Sequence, residues 1–390
     1  MNGGRRDRPN TARPRLAIAV DASRGFDPRP TGTETYARAV IRGLVDDGAH
    51  DYRLYMRGAR AAEADALRAA GAAVDDLGAG RLWTHVRLGR AVRRRAADVL
   101  FVPAHVLPVF CATPGVVTIH DVGHRRFPEA HTFVQRAYLE LAARRHARIA
   151  RAMIADSTST AADLVAFFGA PPERVHVVHL GVDAGLAPAA PDAVHALRIR
   201  LGLPPAAEAV VHVGTRQPRK NLARLIEALT QVVLVRPNAM LVLAGRRGWG
   251  NEDLAAVARR AGIGDRVTII DYVDRTDLPA LFGLARVVAV PSLHEGFGLP
   301  MLEAMACGAP VAAARASSLP EVGGDAVAWF DPHDVTDMAT VIARLMGDAD
   351  DRARLAAAGR ARAATFTWRR CVDATRAVLE GAAQPLVRHS

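Results

Sequence analysis

The chain has 390 residues, of which 50% are hydrophobic and 23% charged, enough for about two to three domains with apolar cores. Its three cysteines are far apart and lack CxxC or zinc-ligand spacing, which argues against a disulfide framework or a zinc site and favours a reducing cytoplasm. The first apolar run, residues 16–20, is too short for a signal sequence or a membrane span, so we expect residues 1–13 to be a disordered tail.

The net charge of +11 comes mainly from the first half, where 29 arginines face 20 acidic residues between positions 1 and 200. Arginine clusters at 86–101 and 144–151 suit an anionic lipid surface, an anionic acceptor or nucleic acid, whereas a solvated helix face is the structural alternative. Only 5% of residues are aromatic and no basic-aromatic pattern occurs, so we expect no nucleic acid partner. Peripheral contact with the inner face of the plasma membrane stays a hypothesis.

Short apolar runs alternate with helical stretches along most of the chain, a pattern typical of parallel sheets. In the first half these runs lie at 15–21, 99–103, 116–121, 153–157 and 175–182. A linker-like segment with several prolines, 183–207, marks the expected domain boundary. In the second half strands are predicted at 209–214, 240–245, 266–273, 286–291, 309–314 and 326–330. The sequence therefore predicts two doubly wound α/β domains with ligands at the carboxyl ends of their strands.

Residues 294–308, HEGFGLPMLEAMACG, form a candidate ligand loop followed by a helix. A buried strand is predicted to end at Pro291, while Pro300 suits a first helical position and Gly308 a helix end. Backbone amides at such a helix start favour a diphosphate. Glu303, about one turn inside, could accept hydrogen bonds from two ribose hydroxyls. An ordinary strand, loop and helix with a solvated glutamate is the alternative.

A second candidate loop, after the strand at 209–214, contains Arg216, Arg219 and Lys220, and a helix is predicted to begin near Asn221. Lys220 is the only lysine in the chain, because all 50 other basic residues are arginine. A compact ammonium at a helix start suits a phosphate or diphosphate, so we favour a binding role over a chance surface charge.

Two loops in the first half occupy similar positions. After the first strand, Gly32 would let the backbone approach a ligand and Thr33 would begin the next helix. His120 and Asp121 end the strand at 116–121, where His120 could bond a sugar hydroxyl or a leaving phosphate. A plain strand-to-helix turn and a satisfied core histidine are the structural alternatives.

Other nucleotide and metal motifs are not supported. Met301 stands where GxGxxG would need its third glycine, and the sequence has no Walker A loop, so neither a nicotinamide nor a P-loop site is predicted. The acidic run at 348–350 lies between two helical segments, which favours a helix cap over a metal site.

Together these segments resemble the family 4 retaining glycosyltransferases, from about Arg15 to Leu379. The motifs that carry the resemblance, in the family's order, are TGTETYARAV, VVTIHD, ADSTSTAADL, VHVVHLGVD, VGTRQPRKN, LVLAGRRGW and VPSLHEGFGLPMLEAMACGAPV. The resemblance implies the α/β GT-B fold: two Rossmann-like domains, 14–190 and 205–365, face a cleft, and a helix within 366–385 returns to the first domain. The IHD and PRKN forms are most similar to mannosyltransferases of O-antigen and related envelope polysaccharides, which points to GDP-mannose.

The resemblance also implies roles for individual residues. Toward the donor these are Lys220 for the diphosphate, Glu303 for the ribose, Val273 for the base, and Glu295 with the backbone of Gly296, Phe297, Gly298 and Leu299 for the sugar. From the other domain these are Gly32 and Thr33 for the phosphates and His120 for the sugar near its reacting carbon. Family members often carry an arginine where this chain has Thr215, so we assign the second phosphate cation to Arg216, with Arg219 as its rival.

The implied reaction is a retaining, metal-independent transfer of a hexose from a nucleotide-diphosphate sugar to a glycan or lipid-linked acceptor, without a cofactor. Lys220, an arginine and helix amides would stabilise charge on the leaving diphosphate. Two alternatives stay open: a non-hydrolysing nucleotide-sugar epimerase of the same fold, and a catalytically silent binding subunit on anionic membrane. Incubation of the donor without an acceptor separates the epimerase from the transferase.

Overall fold

Two parallel sheets, one in each half of the chain, organise the molecule. The computed structural model describes residues 14–26, 31–58, 61–104, 106–128, 132–248, 250 and 253–384. The predicted tail at 1–13 lies outside these residues. All strand pairs named below run parallel, as the alternating sequence pattern predicts.

The first sheet comes from the first half of the chain. Its strands are β1 (Ala17–Asp21), β2 (Asp51–Met56), β3 (Ala73–Asp76), β4 (Val99–Val102), β5 (Gly115–Ile119), β6 (Ala152–Ala155) and β7 (Val175–Val177). The helices around it are α1 (Gly32–Asp47), α2 (Ala61–Ala69), α3 (Gly89–Arg94), α4 (Gly123–Arg126), α5 (Phe133–Ile149) and α6 (Thr158–Phe168), with a π-helical turn (Thr84–Leu88) before α3. Among the described residues the strand order is β3-β2-β1-β4-β5-β6-β7.

The second sheet repeats this plan. Its strands are β8 (Glu208–Val213), β9 (Ala239–Ala244), β10 (Val267–Ile270), β11 (Ala285–Val290), β12 (Val311–Ala314) and β13 (Ala328–Phe330). The later helices are α7 (Pro191–Arg200), α8 (Leu222–Val235), α9 (Leu254–Arg260), α10 (Leu278–Leu284), α11 (Leu299–Ala306), α12 (Leu319–Gly323), α13 (Val335–Gly347), α14 (Ala349–Ala363) and α15 (Trp368–Ala383). Within the described chain its order is β10-β9-β8-β11-β12-β13.

Helix α1 illustrates why the sequence forms the helices that cover the sheets. Tyr36, Val40 and Leu44 recur at helical spacing and are buried on the face toward the first sheet. At the helix start, Thr31 and Glu34 form a capping box, in which the Glu34 carboxylate accepts the Thr31 backbone N–H at 2.8 Å.

The structure differs from the sequence prediction in its edge strands and in the segment between the sheets. Neither β2 nor β3 was predicted, because β2 carries two charged residues in six and β3, AVDD, is short and polar. Helix α7 lies inside the segment 183–207 that was predicted as linker. The strands expected at 175–182 and 266–273 are shorter, since only β7 and β10 within them pair with neighbours.

The last helix returns to the first sheet. α15 packs against α1, β4, β5 and β6, and its Glu380 lies 3.2 Å from the His50 side chain. Where the chain crosses between the sheets, the Val182 backbone N–H donates to the Phe366 carbonyl at 3.0 Å, and Val182 forms a parallel bridge with Thr367. Two doubly wound domains and a returning helix confirm the architecture that the resemblance implies.

Candidate active site

The predicted site residues meet at the carboxyl ends of the two sheets. In each sheet the strand order reverses between two central strands, β1 and β4 in the first and β8 and β11 in the second, which is where doubly wound sheets bind ligands. The loops after β1, β5, β8 and β11 line a shared cavity of about 710 Å³. Apart from Arg216, all the site residues assigned from the resemblance line this cavity.

Lys220 is held in the cavity wall by an unusual turn. A 3-10 turn, Pro218–Lys220, is followed by Asn221 in the left-handed region, with φ of 59°, before α8 begins. The Asn221 amide anchors this turn by donating to the carbonyl oxygens of Pro291, at 3.1 Å, and Pro332, at 2.8 Å. Because asparagine tolerates this backbone region better than most residues, the turn can aim the lysine inward.

Lys220, Arg219 and Glu295 form a buried charge cluster, which we call the cation cluster. The Lys220 ammonium bonds Glu295 Oε1, and Arg219 Nη1 lies 2.9 Å from Glu295 Oε2. The Ser292 hydroxyl also donates to Glu295 Oε1, at 2.7 Å. Two cations thus share the Glu295 carboxylate, so these three side chains together carry a net positive charge, and the Asp121 carboxylate lies 4.0 Å from Arg219 on the other side of the cavity.

Electrostatics keep the carboxylate of this cluster ionised. Burial opposes its charge, yet the Lys220 ammonium and the Arg219 guanidinium hold the pKa of Glu295 well below its usual range. Burial lowers the pKa of Lys220, and Glu295 opposes that shift. Behind the cluster, burial and then Lys220 lower the pKa of His212 to about 4, so this histidine adds no third positive charge near neutral pH.

Arg216 lies outside the cavity, which differs from its assignment as second phosphate cation. Its guanidinium pairs with Asp271 and lines a separate pocket toward Arg247 and α9. Arg219 belongs to the 3-10 turn and stands beside Lys220, whereas Arg216 precedes the turn and pairs with Asp271, just after β10. The geometry therefore favours the rival, Arg219, which lines the cavity, while the role of either arginine at the phosphate stays a prediction.

Glu303 lies on α11, about one turn inside, as predicted. It is buried in the cavity wall, and Arg275 Nη1 approaches its Oε1 at 3.4 Å. Burial raises the pKa of Glu303 to about 7, with Arg275 opposing that rise. Arg275 also lies 3.4 Å from Asp183 Oδ2 in the crossover segment. A carboxyl in this position can accept hydrogen bonds from vicinal hydroxyls once it is ionised.

The glycines of the loop before α11 serve close packing between the domains. A Cβ on Gly296 would clash with the His120 carbonyl oxygen of the first domain. Gly298 has φ of 98°, and a Cβ there would stand 2.7 Å from Leu319. Helix α11 begins at Leu299, one residue before Pro300. The loop backbone therefore approaches other groups closely, and at Gly296 the group it approaches is the backbone of the first domain rather than a ligand.

The first domain contributes the start of α1. Gly32 and Thr33 line the cavity, and a Cβ on Gly32 would meet no protein atom within 4 Å. The space beside Gly32 is therefore cavity rather than packed protein. The helix begins at Gly32 with Thr31 as its cap, so its first residues lie in the wall of the cavity that also contains the cation cluster.

His120 stands at the end of β5 with both ring nitrogens occupied. Nδ1 lies 2.7 Å from Asp156 Oδ2 and Nε2 lies 3.0 Å from the Pro103 carbonyl oxygen. Burial would lower its pKa, but the Asp156 carboxylate and the Pro103 bond raise the pKa of His120 above its usual value. A carbonyl only accepts, so Nε2 carries a proton and the ring is fixed before any ligand arrives. For His120 to contact the sugar as predicted, one of its two ring hydrogen bonds must break. Otherwise the contact must be made by the edge of the ring or by the His120 carbonyl oxygen.

Sequence reasoning missed several residues that shape the site. Asp156, the partner of His120, follows β6, which is the neighbour of β5. An acidic residue at the end of an adjacent strand was the sequence signal that could have predicted this pair.

Glu321 on α12 accepts the Thr158 backbone N–H at 2.9 Å and the Thr158 hydroxyl at 2.8 Å, and it lies 2.6 Å from His179 Nε2. This latch joins the second domain to the start of α6, and no local pattern signals it.

Val273, which the resemblance assigns to the base, lines one end of the cavity. Tyr272 and Arg246 line the same end, with the Arg246 guanidinium 5.2 Å from the Tyr272 ring centroid.

Asp348 caps α14 by accepting the Asp351 backbone N–H at 2.9 Å, which confirms the prediction that residues 348–350 form a helix cap. Within the described ranges, no cluster of three metal-ligating side chains occurs, and no helix is long and apolar enough to cross a membrane.

Sequence comparison matches two glycosyltransferase families in adjacent parts of the chain. Residues 30–186 match Glycosyltransferase Family 4, and residues 195–362 match Glycosyl transferases group 1. O-antigen chain mannosyltransferase B of Escherichia coli is 32% identical over 261 residues, which cover 67% of this chain and 68% of that relative. D-inositol 3-phosphate glycosyltransferase of Xylanimonas cellulosilytica is 39% identical over 225 residues, 56% of this chain and 54% of the relative, so this match spans about half of that relative.

A solved structure of similar fold is HepE of Anabaena in complex with UDP and glucose. It superposes with a TM-score of 0.74 at 23% identity, and the match covers 94% of this chain and 100% of HepE. At that identity the likeness concerns the fold alone, and it is the GT-B arrangement of two parallel sheets. Both halves of the sequence match glycosyltransferase families, and the fold is that of glycosyltransferases. The chain belongs to the family 4 glycosyltransferases.

Proposed function

We propose that this glycosyltransferase transfers a hexose with retention of configuration, without a metal, to a glycan or lipid-linked acceptor in envelope polysaccharide synthesis, with GDP-mannose as donor. The observation that carries the proposal is the cation cluster, a buried net positive charge at the switch point of the second sheet. A nucleoside diphosphate has the complementary charge. The name of the Escherichia coli relative supports mannose, whereas HepE, solved with UDP and glucose, makes UDP-sugars the main competitors.

The donor is assigned to residues 205–365 and the acceptor to 14–190 with 366–385. This division is supported by the origin of the side chains, because Lys220, Glu295 and Glu303 all follow strands of the second sheet. In the donor pose, the base lies at Val273, the ribose at Glu303 and the diphosphate at the cation cluster. The sugar then extends toward His120 and the start of α1, where the first domain presents the acceptor.

The transfer proceeds on one face of the sugar. The bond between the anomeric carbon and the diphosphate oxygen breaks, and the electron pair leaves with the diphosphate. The acceptor oxygen bonds to the anomeric carbon from the same side, and its proton passes to a diphosphate oxygen. Lys220, Arg219 and the first amides of α1 stabilise the negative charge that develops on the leaving group, which is the work a metal does in other transferases.

Three roles of the named residues follow from this reaction. Glu295, ionised and fixed by three donors, accepts hydrogen bonds from sugar hydroxyls and holds the ring against the leaving group. The fixed His120 ring and the Gly296 backbone form a wall beside the reacting carbon. Contacts between the domains, including the 4.0 Å pair of Arg219 with Asp121, limit access of water that would hydrolyse the donor.

Ligand screening and product analysis test the proposal. GDP, UDP, ADP and TDP are compared by thermal shift, where a ligand at 100 times its dissociation constant adds about 2.7 kcal/mol of stability. The expected result is selective stabilisation by GDP, an α-linked product from an α-linked donor by NMR, and turnover that survives EDTA. No stabilisation by any nucleoside diphosphate, or an inverted product, would overturn it. A sugar changed in the absence of acceptor would assign the epimerase instead.

A further inference from the structure

Helix α5 of the first domain carries large apolar side chains that face solvent. Phe133, Val134, Tyr138 and Leu141 expose 78%, 76%, 47% and 69% of their surface, and we call these four the α5 face. None of the four lines the cavity. Such a concentration on one helix marks a contact surface, because apolar side chains exposed singly are common but clustered ones are not.

The spacing of these residues makes α5 amphipathic along its length. Val134, Tyr138 and Leu141 stand at i, i+4 and i+7, so they share one side of the helix. Arg144 and Arg148 follow Leu141 by three and seven residues on that same side, and both are exposed. The outward side is therefore apolar in its first half and cationic in its second half.

Neighbouring segments extend this surface. The Arg145 guanidinium of α5 donates to the Val109 carbonyl at 2.7 Å, which holds the loop with Phe110, 72% exposed, against the helix. The Tyr138 hydroxyl lies 3.2 Å from His85 in the π-helical turn before α3. That turn and α3 belong to a segment, 77–97, with six arginines and no acidic residue.

The segment that leads into α5 contacts the second domain beside the cleft. α5 follows β5 through the short helix α4, so it begins at the edge of the sheet where His120 stands. Just after α4, the Phe127 ring centroid lies 6.3 Å from that of His294, which precedes Glu295 in the second domain. The residues just before α5 thus lie near Glu295 in the cavity wall.

We propose that the α5 face docks on an anionic lipid bilayer, with its apolar side chains in the interface and the arginines of α5 and α3 against the headgroups. In such helices the binding free energies from apolar burial and from attraction to anionic lipid add together. The α5 face combines apolar side chains with neighbouring arginines, so both contributions are available. The docked enzyme takes a lipid-linked acceptor from that bilayer into the cleft. This last step rests on the proposed function, whereas docking does not.

Vesicle sedimentation of the full chain tests the docking. Wild type is compared with the pair V134D and L141D, which changes exposed positions of the α5 face. A matched control pair, L234D and V235D, changes exposed positions of α8 in the second domain, which are 81% and 66% exposed. Vesicles contain phosphatidylcholine with or without phosphatidylglycerol, and a GDP thermal shift on each protein reports the donor site separately.

Docking predicts that wild type and control bind phosphatidylglycerol vesicles alike, that the α5 pair binds at least about tenfold more weakly, and that binding weakens as salt rises. Equal binding by all three proteins, or absence of wild-type binding, would overturn it. Loss of a dimer in the α5 pair, without loss of vesicle binding, would assign the face to a second copy instead. An unchanged GDP shift in a non-binding wild type would reject docking and leave the donor site intact.

Discussion

Replacing Glu303 by glutamine should stabilise the free protein and weaken its affinity for the donor. Burial raises the pKa of Glu303 from 4.5 to about 7, with the Arg275 guanidinium 3.4 Å away opposing the rise. A carboxyl whose pKa is higher in the fold binds its proton more tightly there, so its contribution to stability falls as pH rises from about 4.5 through about 7. At about 1.4 kcal/mol per pH unit, the ionised group costs on the order of 3 kcal/mol above pH 7.

Urea unfolding of nucleotide-free Glu303→Gln measures this cost. Its gain over wild type should reach about 2 to 3 kcal/mol at pH 8 and stay below about 1 kcal/mol at pH 5. Glu227→Gln, at an exposed position of α8, controls for loss of a charge. Calorimetry should give about tenfold to a hundredfold weaker GDP binding for Glu303→Gln, because an amide lacks the second anionic acceptor oxygen. A gain that is equal at both pH values would refute the burial argument, and unchanged GDP affinity would refute the ribose assignment.

Three further changes probe the rest of the site. Lys220→Ala should lower transfer by about 100- to 1000-fold in a folded protein, and near-normal turnover would contradict its role at the diphosphate. Arg219→Ala should show a loss of the same order while Arg216→Ala keeps most activity, and the reverse ranking in donor turnover would restore the assignment to Arg216. Glu321→Gln should weaken the latch and raise the radius of gyration of the nucleotide-free protein in small-angle scattering, with GDP reducing it again; an unchanged radius would mean that the latch does not hold the domains.

The sequence predicts the second domain more completely than the first. Its strands are almost wholly apolar, and the residues at their ends are distinctive: the only lysine of the chain at Lys220, and the glutamates Glu295 and Glu303 around a helix start. In the first domain β2 and β3 carry charged residues because they lie toward a sheet edge, so neither forms a continuous apolar run. Continuous apolar runs reveal strands that are buried on both faces and miss those that are not.

Directions of side chains were harder to predict than their positions along the chain. Arg216 and Arg219 share one loop, and a single 3-10 turn with the left-handed Asn221 decides which of them faces the cavity. Partners distant in sequence give no local signal at all, as with Glu321 and Thr158, which meet across the domain boundary. Such pairs follow from how the two sheets pack, which the order of strands does not determine.

The cation cluster also explains how a lysine can be buried inside the protein before the donor binds. A buried ammonium without a counter-ion would lose its proton or destabilise the fold, and a buried pair is tolerated only when its remaining bonds are satisfied. Glu295 supplies that counter-ion to Lys220 and Arg219 together, so the free site already contains a stand-in for one of the two diphosphate charges. When the diphosphate arrives, the cations can transfer part of their bonding to it, and Glu295 becomes available to the sugar. The same carboxylate therefore serves stability in the free enzyme and recognition in the complex.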